Sequence, residues 1–404
     1  MDALKLSIHT DYDWAIGLSR ISLKVFGVWP ENNETKREKY ISNIHIFLII
    51  NIAFCGCLIP SVHSLIKIWG DLMSMIDNLQ YTLAFVIVII KLLVLWLKKR
   101  DILPLLNMIK NDWLKPKTAN ERDVMIKQAR AARMLTLLGF FIMLLTFILG
   151  VILPVFGIST RYMTNKTDPG KLVPMQTYYI YDRDKSPLYE ITFIVQSIGL
   201  STVALVYTST DSFLGLLIFH ICGQLENLKT CIIHLDKFSN FESGLSHIVQ
   251  DHVRLVRSMN TINNTFMLML LGTVFFFIVL FAFNGFLLSV IMTQDYDVSL
   301  LRIMFIMIIF LNTLAHTCLY CAIGEILIAQ CEGVYEAACE YKWYTLEPKK
   351  ARNLILIIIR ANKALYLTAG KLFPLTMSTF CTMIFFAKII IANFHDWFVV
   401  GPRL

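Results

Sequence analysis

Residues 369–398 read AGKLFPLTMSTFCTMIFFAKIIIANFHDWF, and within them 372–394 is the last of seven long apolar segments. About 20 consecutive apolar residues cross a bilayer as a helix, because the backbone N–H and C=O groups then satisfy one another where water is absent. Working back toward the N-terminus, the other six segments are 41–66, 79–97, 135–156, 188–213, 266–290 and 300–328. Only 16% of the 404 residues are charged and 56% are hydrophobic, against about 25% charged in a soluble domain. The ten-residue alternation of an outer-membrane barrel is absent. The fold class is therefore an all-α membrane protein with seven transmembrane helices.

Charge sets the orientation. Loops 1–40, 98–134, 220–262 and 329–363 together hold 26 Lys and Arg, whereas the alternate loops and the C-terminal tail hold 7. Cytoplasmic loops carry the excess of Lys and Arg, so the N-terminus is cytoplasmic and, after seven crossings, the C-terminus is extracellular. That is the inverse of a G-protein-coupled receptor, and neither Asp-Arg-Tyr after the third segment nor Asn-Pro-x-x-Tyr in the seventh is present. The chain carries no cleavable signal pattern ahead of its first segment. None of the nine cysteines falls in an outer loop, which argues against an extracellular disulfide. Of three sequons, only Asn165-Lys166-Thr167 is external, so Asn165 is the candidate glycosylation site.

The chain divides into a cytoplasmic amphipathic segment (1–40), membrane helices one to six (41–328), a cytoplasmic anchor segment (329–371) and a last helix with a short tail (372–404). In the first part Trp14, Leu18, Ile21, Val25 and Val28 form one stripe, suited to membrane lipid or to packing beneath the bundle. Past the fourth segment Leu214, Ile218, Ile221, Leu225, Leu228, Ile232 and Leu235 keep a 3.5-residue period, which packs helix on helix. Two shorter patterns extend this cytoplasmic bundle: His252, Leu255, Val256 and Met259, then Ile326, Ala329, Gly333 and Ala337. Lys91 in the second segment reads as an anchor that snorkels to the headgroups. The outer loop 157–187, rich in Tyr, Asp and Pro, reads either as a lid or as surface irregularity.

Enzymatic chemistry finds no support. Gly370-Lys371 is not part of a phosphate-binding loop, H-E-x-x-H is absent, and Cys318 and Cys321 sit in an apolar helix without a second pair. No cofactor or metal is expected. The basic inner loops match anionic lipid and require no nucleic acid. A transporter built from two inverted halves is disfavoured by seven crossings without an internal repeat.

Several stretches together resemble the insect odorant receptor family, of the kind expanded in ants and bees. They are Gly27-Val28-Trp29-Pro30, then His220-Ile221-Cys222-Gly223-Gln224-Leu225, then Tyr320-Cys321-Ala322-Ile323-Gly324-Glu325. Ala337, Trp343-Tyr344, Arg352, Arg360, Leu367-Thr368-Ala369-Gly370-Lys371 and Thr379-Phe380 follow in order. The resemblance implies an odorant-tuning subunit of a ligand-gated non-selective cation channel, a tetramer formed with a shared co-receptor in olfactory neuron dendrites. A gustatory receptor of the same superfamily is the alternative. It further implies that the last helix lines the pore, with Ile390, Asn393 and Trp397 on one face and Lys388 roughly 160° from Ile390. A pocket for a small volatile odorant is implied in the outer half of the membrane. Its candidates are Tyr81 and Phe85 from segment two, Thr146, Phe147 and Gly150 from three, Tyr189, Phe193 and Gln196 from four, and Phe305 and Ile309 from six. After Phe385 the ending FAKIIIANFHDWFVVGPRL departs from the Ser/Tyr-rich pattern of the resemblance. Glu325 reads as an inner-mouth charge or as a carboxylate bonded inside the anchor.

Overall fold

The computed structural model describes residues 2–31, 35–164, 167–168, 170–238, 240–293 and 299–399, with side chains for all of these except 2–9, 293 and 394–399. The regular secondary structure of the described residues is helical, apart from two short strands. In order the helices are α1 (Asp2–Val25), α2 (Lys36–Lys67), α3 (Leu72–Leu97), α4 (Lys99–Leu114) and α5 (Ala119–Val155). Then come α6 (Leu188–Ile233), α7 (Phe241–Thr293), α8 (Leu300–Glu340), α9 (Pro348–Ala361) and α10 (Met377–Val399). Six of them, α2, α3, α5, α6, α7 and α8, are long and apolar enough to cross a membrane. The shorter apolar helix α10 supplies the seventh segment.

Local chemistry fixes where these helices begin. Thr35 with Glu38, and Thr118 with Glu121, close reciprocal capping boxes at α2 and α5. The side chains of Asp71 and Ser299 accept first-turn N–H groups of α3 and α8.

The 46 residues of α6 span about 69 Å, twice the hydrocarbon thickness of a bilayer. Its excess length is packed by the seam read from sequence: all seven residues from Leu214 to Leu235 are buried. His252, Leu255, Val256 and Met259 of α7 are buried as well. On α8 the pattern holds only in its last two members. Gly333 and Ala337 are buried, but Ile326 and Ala329 are exposed, and Leu327, Cys331 and Val334 take the inward face.

Two expectations need correction. Of the two readings of the α1 stripe, packing beneath the bundle falls instead to Ala15, Ile16, Ser19 and Leu23, with Phe26 just past the helix end, whereas Trp14, Ile21 and Val25 are exposed, Leu18 is half-buried and only Val28 is buried. Both stripes have helical period, so periodicity alone did not choose between them. Lys91 does not snorkel. It is 0% exposed, its ammonium donates to Asp211 at 2.5 Å, and it lies 3.4 Å from the centre of the Tyr207 ring. An internal counter-charge 120 residues away removes the need to reach the headgroups.

A hairpin leads into α10. Strands β1 (Thr368–Ala369) and β2 (Phe373–Pro374) pair antiparallel, and Gly370 and Lys371 both take positive φ in the turn. Asn263 of α7 accepts bonds from the Thr368 amide and hydroxyl, both at 2.9 Å. Gly370 donates to the Met267 carbonyl at 2.9 Å. The hairpin is thereby fixed to α7 before the last helix begins.

Candidate ligand cavity and pore helix

A cavity of about 200 Å³ lies among the outer parts of α3, α5, α6, α7 and α8. Tyr81, Thr146, Phe147, Gly150, Phe305 and Ile309, six of the sequence candidates, line it together. Gly150 and Val151 occupy a π-helical turn, 148–152, where the wider winding breaks the regular ladder of α5. The walls are mostly carbon. Polar atoms come from Gln80, the Tyr81 hydroxyl and Thr146, whose hydroxyl already donates to the Met143 carbonyl at 2.8 Å. Gln80 also reaches Asn284 of α7 at 3.5 Å. Gln80, Leu200, Val203 and Leu280 were not among the sequence candidates. A glutamine inside an apolar segment was the one available signal, but α7 supplied no candidate because its apolar run has no clear polar face.

The other four candidates lie elsewhere. Phe85 is fully buried, close to Gly199, and is core packing rather than cavity wall. Tyr189, Phe193 and Gln196 belong to a folded outer cap. Gln196 accepts from the Met175 amide at 2.9 Å and donates to Thr177 and Tyr179 at 2.8 and 3.2 Å. The Tyr189 hydroxyl donates to the Leu172 carbonyl at 3.0 Å, and its ring packs on Phe193. A loop laid over apolar helices must find partners for its own backbone, and these side chains supply them.

The cap has a charged core of its own. Both oxygens of Asp168 accept from Arg161, at 2.6 and 2.9 Å, and Arg183 adds a third bond at 3.2 Å. Burial alone would raise the pKa of this carboxyl. The two guanidiniums more than offset that and hold it below the usual carboxylate value. Burial pushes the Tyr179 phenol up to about 12, so it remains a neutral donor, to the Gly56 carbonyl at 3.0 Å. Asp77, one turn outward of Tyr81 on α3, accepts from the Tyr162 amide at 2.7 Å and from Arg302 of α8 at 2.8 Å. The cap is thus tied to two helices that line the cavity. Asn165 lies outside the described residues.

On α10, Met383 and Ala387 are buried and Ile391 packs on Gly285 of α7. Ile390 is half-buried at the flank of that stripe, while Asn393 and Lys388 are exposed. The side chain of Trp397 lies outside the described residues. At its cytoplasmic end α10 is held by Glu325, whose carboxylate accepts from the Met377 amide at 3.1 Å. Beside it, a Cβ on Gly324 would lie 2.0 Å from the Leu375 carbonyl oxygen. Only glycine permits so close an approach.

The profile of the family described as "7tm Odorant receptor" matches residues 71–387, most of the chain. The chain belongs to this odorant receptor family. It is an odorant-sensing, multi-pass membrane receptor and not an enzyme. Among relatives of the receptor, Odorant receptor 85c of Drosophila melanogaster is 22% identical over 317 residues, covering 77% of this chain and 79% of that one. Odorant receptor 85b of the same fly is 22% identical over 365 residues, 87% and 91% of the two chains. The fold matches the olfactory receptor OR5 of Machilis hrabei with a TM-score of 0.81 at 16% identity, over 98% of this receptor and 100% of that chain. A second structure of that insect receptor gives the same TM-score over 96% of this chain.

Proposed function

We propose that this receptor is the odorant-binding tuning subunit of a heteromeric, ligand-gated, non-selective cation channel formed with a shared co-receptor, in the dendritic membrane of olfactory neurons. The observation that carries the reading is the capped outer cavity, with Tyr81, Phe147 and Phe305 around a space of about 200 Å³. Such a space takes a small, largely apolar molecule, and the Tyr81 hydroxyl and Gln80 amide orient one polar group of it. The similar receptor of Machilis hrabei was solved in complex with eugenol. In this reading α10 faces the pore axis through Ile390 and Asn393, and the exposed Lys388 points away from passing cations. Occupancy of the cavity shifts α8, and the Glu325 bond carries that shift to α10.

The test is a volatile panel applied to cells expressing the receptor with its co-receptor. Tyr81→Phe and Phe305→Ala are expected to reorder the responses by roughly tenfold in effective concentration, the worth of one hydrogen bond or a few methylenes. Unchanged dose–response curves for both variants overturn the cavity assignment.

A further inference from the structure

The polar atoms around the outer cavity are not interchangeable, because bonds behind them fix which end of each side chain is left over. Asn284 of α7 is 0% exposed, and its amide nitrogen donates to the Leu280 carbonyl at 2.8 Å. A carbonyl only accepts, so the side-chain oxygen of Asn284 is the end that meets Gln80 of α3. That oxygen also only accepts, so Gln80 turns its amide nitrogen toward it, at 3.5 Å. Oε1 of Gln80, a residue of the cavity wall, is left without a bond among the described residues.

Thr146 is constrained in the same way. The Met143 carbonyl takes its hydroxyl proton at 2.8 Å, so toward the cavity its oxygen only accepts. The Tyr81 hydroxyl makes no hydrogen bond among the described residues, and it both donates and accepts. Acceptors therefore come from Gln80, Thr146 and Tyr81, and donors from Tyr81 and the second amide hydrogen of Gln80. No wall residue is charged. An ammonium or carboxylate ligand loses its hydration here and meets no counter-charge. An aldehyde or ketone takes a bond from Tyr81 but leaves the Gln80 and Thr146 oxygens unmatched. A hydroxyl accepts from Tyr81 and donates to Gln80, one bond more.

On the reading of this space as the odorant cavity, we propose that its ligand class is small neutral alcohols and phenols, and that Asn284 selects them by holding Gln80 with its carbonyl oxygen toward the ligand. Asn284 does not line the cavity and acts through Gln80 as a positioning residue. Without it the Gln80 amide turns over, presents N–H as readily as C=O, and an aldehyde gains what an alcohol loses.

The experiment measures whole-cell current from the full chain expressed with the co-receptor, during two matched series. One is benzyl alcohol, benzaldehyde and toluene, and the other is cyclohexanol, cyclohexanone and methylcyclohexane. In the unaltered receptor each alcohol is expected to be roughly fivefold more potent than its carbonyl partner, the worth of one hydrogen bond, and each hydrocarbon weaker still. Asn284→Leu is expected to bring alcohol and carbonyl to parity. Gln80→Leu gives the same readout without altering α7. A general loss of folding lowers both potencies and leaves their ratio alone, so the ratio reports positioning. Carbonyl compounds as potent as the alcohols in the unaltered receptor, silence to both alcohols, or a ratio unmoved by both variants overturns the proposal. Phe305→Ala separates that failure from failure of the cavity reading. It is expected to shift the response to whichever volatiles evoke a current, alcohols or not, and the cavity reading itself falls if it shifts none.

Discussion

Among single residues, the buried pair of Lys91 and Asp211 gives the sharpest expectation. Lys91→Met leaves a carboxylate in the membrane without its counter-charge, and removing one member of a buried pair costs about 3–5 kcal/mol. Surface expression and thermal stability are expected to fall in the single variant and largely to recover when Asp211→Leu is added. A second expectation concerns pH. Asp168 is held below its unfolded value of about 3.9, so its contribution is fully present above that value and is lost as pH falls through the lower folded one. Protease resistance of the outer cap is expected to persist at pH 5 and to collapse in the acid range below about 4. Sequence exposed these residues unevenly. Tyr81, Thr146, Phe147, Gly150 and Phe305 were legible as cavity wall because each is aromatic, small or polar at the outer level of its helix, and Ile309 follows from Phe305 one turn along the same face. Gln196 was misread because its chemistry suits a ligand and a loop backbone equally, and only the fold tells which one arrives.

Among the elements, α10 and its approach carry the coupling between cavity and pore in the proposed channel. The hairpin 368–374 is bonded to Asn263, and Glu325 accepts the first amide of the helix. Glu325→Ala removes that acceptor, a loss of about 1 kcal/mol at a helix start. A steady leak current or a weakened ligand response is expected, with Glu325→Gln retaining most of normal gating. Gly324→Ala is expected to be worse, since its methyl meets the Leu375 carbonyl rather than a flexible side chain. Whole-cell current before and after ligand separates leak from lost response. The membrane helices were legible at this scale because twenty apolar residues admit few alternatives. The packed face of α1 was not. Its two apolar stripes are adjacent, and the choice depends on contacts with α5 and α6 that lie more than a hundred residues away in sequence.

For the whole molecule, seven helices and an excess of positive charge in alternate loops define a receptor with its N-terminus inside. A C-terminal epitope is therefore expected to stain on unpermeabilised cells and an N-terminal one only after permeabilisation. The inner extensions of α6 and α7 form a packed bundle continuous with the membrane helices, so one core joins the outer and cytoplasmic halves. The most direct test of the tuning-subunit reading is whole-cell current during a volatile panel, in cells expressing this chain with the co-receptor and in cells expressing each alone. A cation current evoked by a subset of volatiles, present only when both are expressed and reordered by Tyr81→Phe, is the expected result. Identical responses from the co-receptor alone, with both chains at the surface, would contradict it.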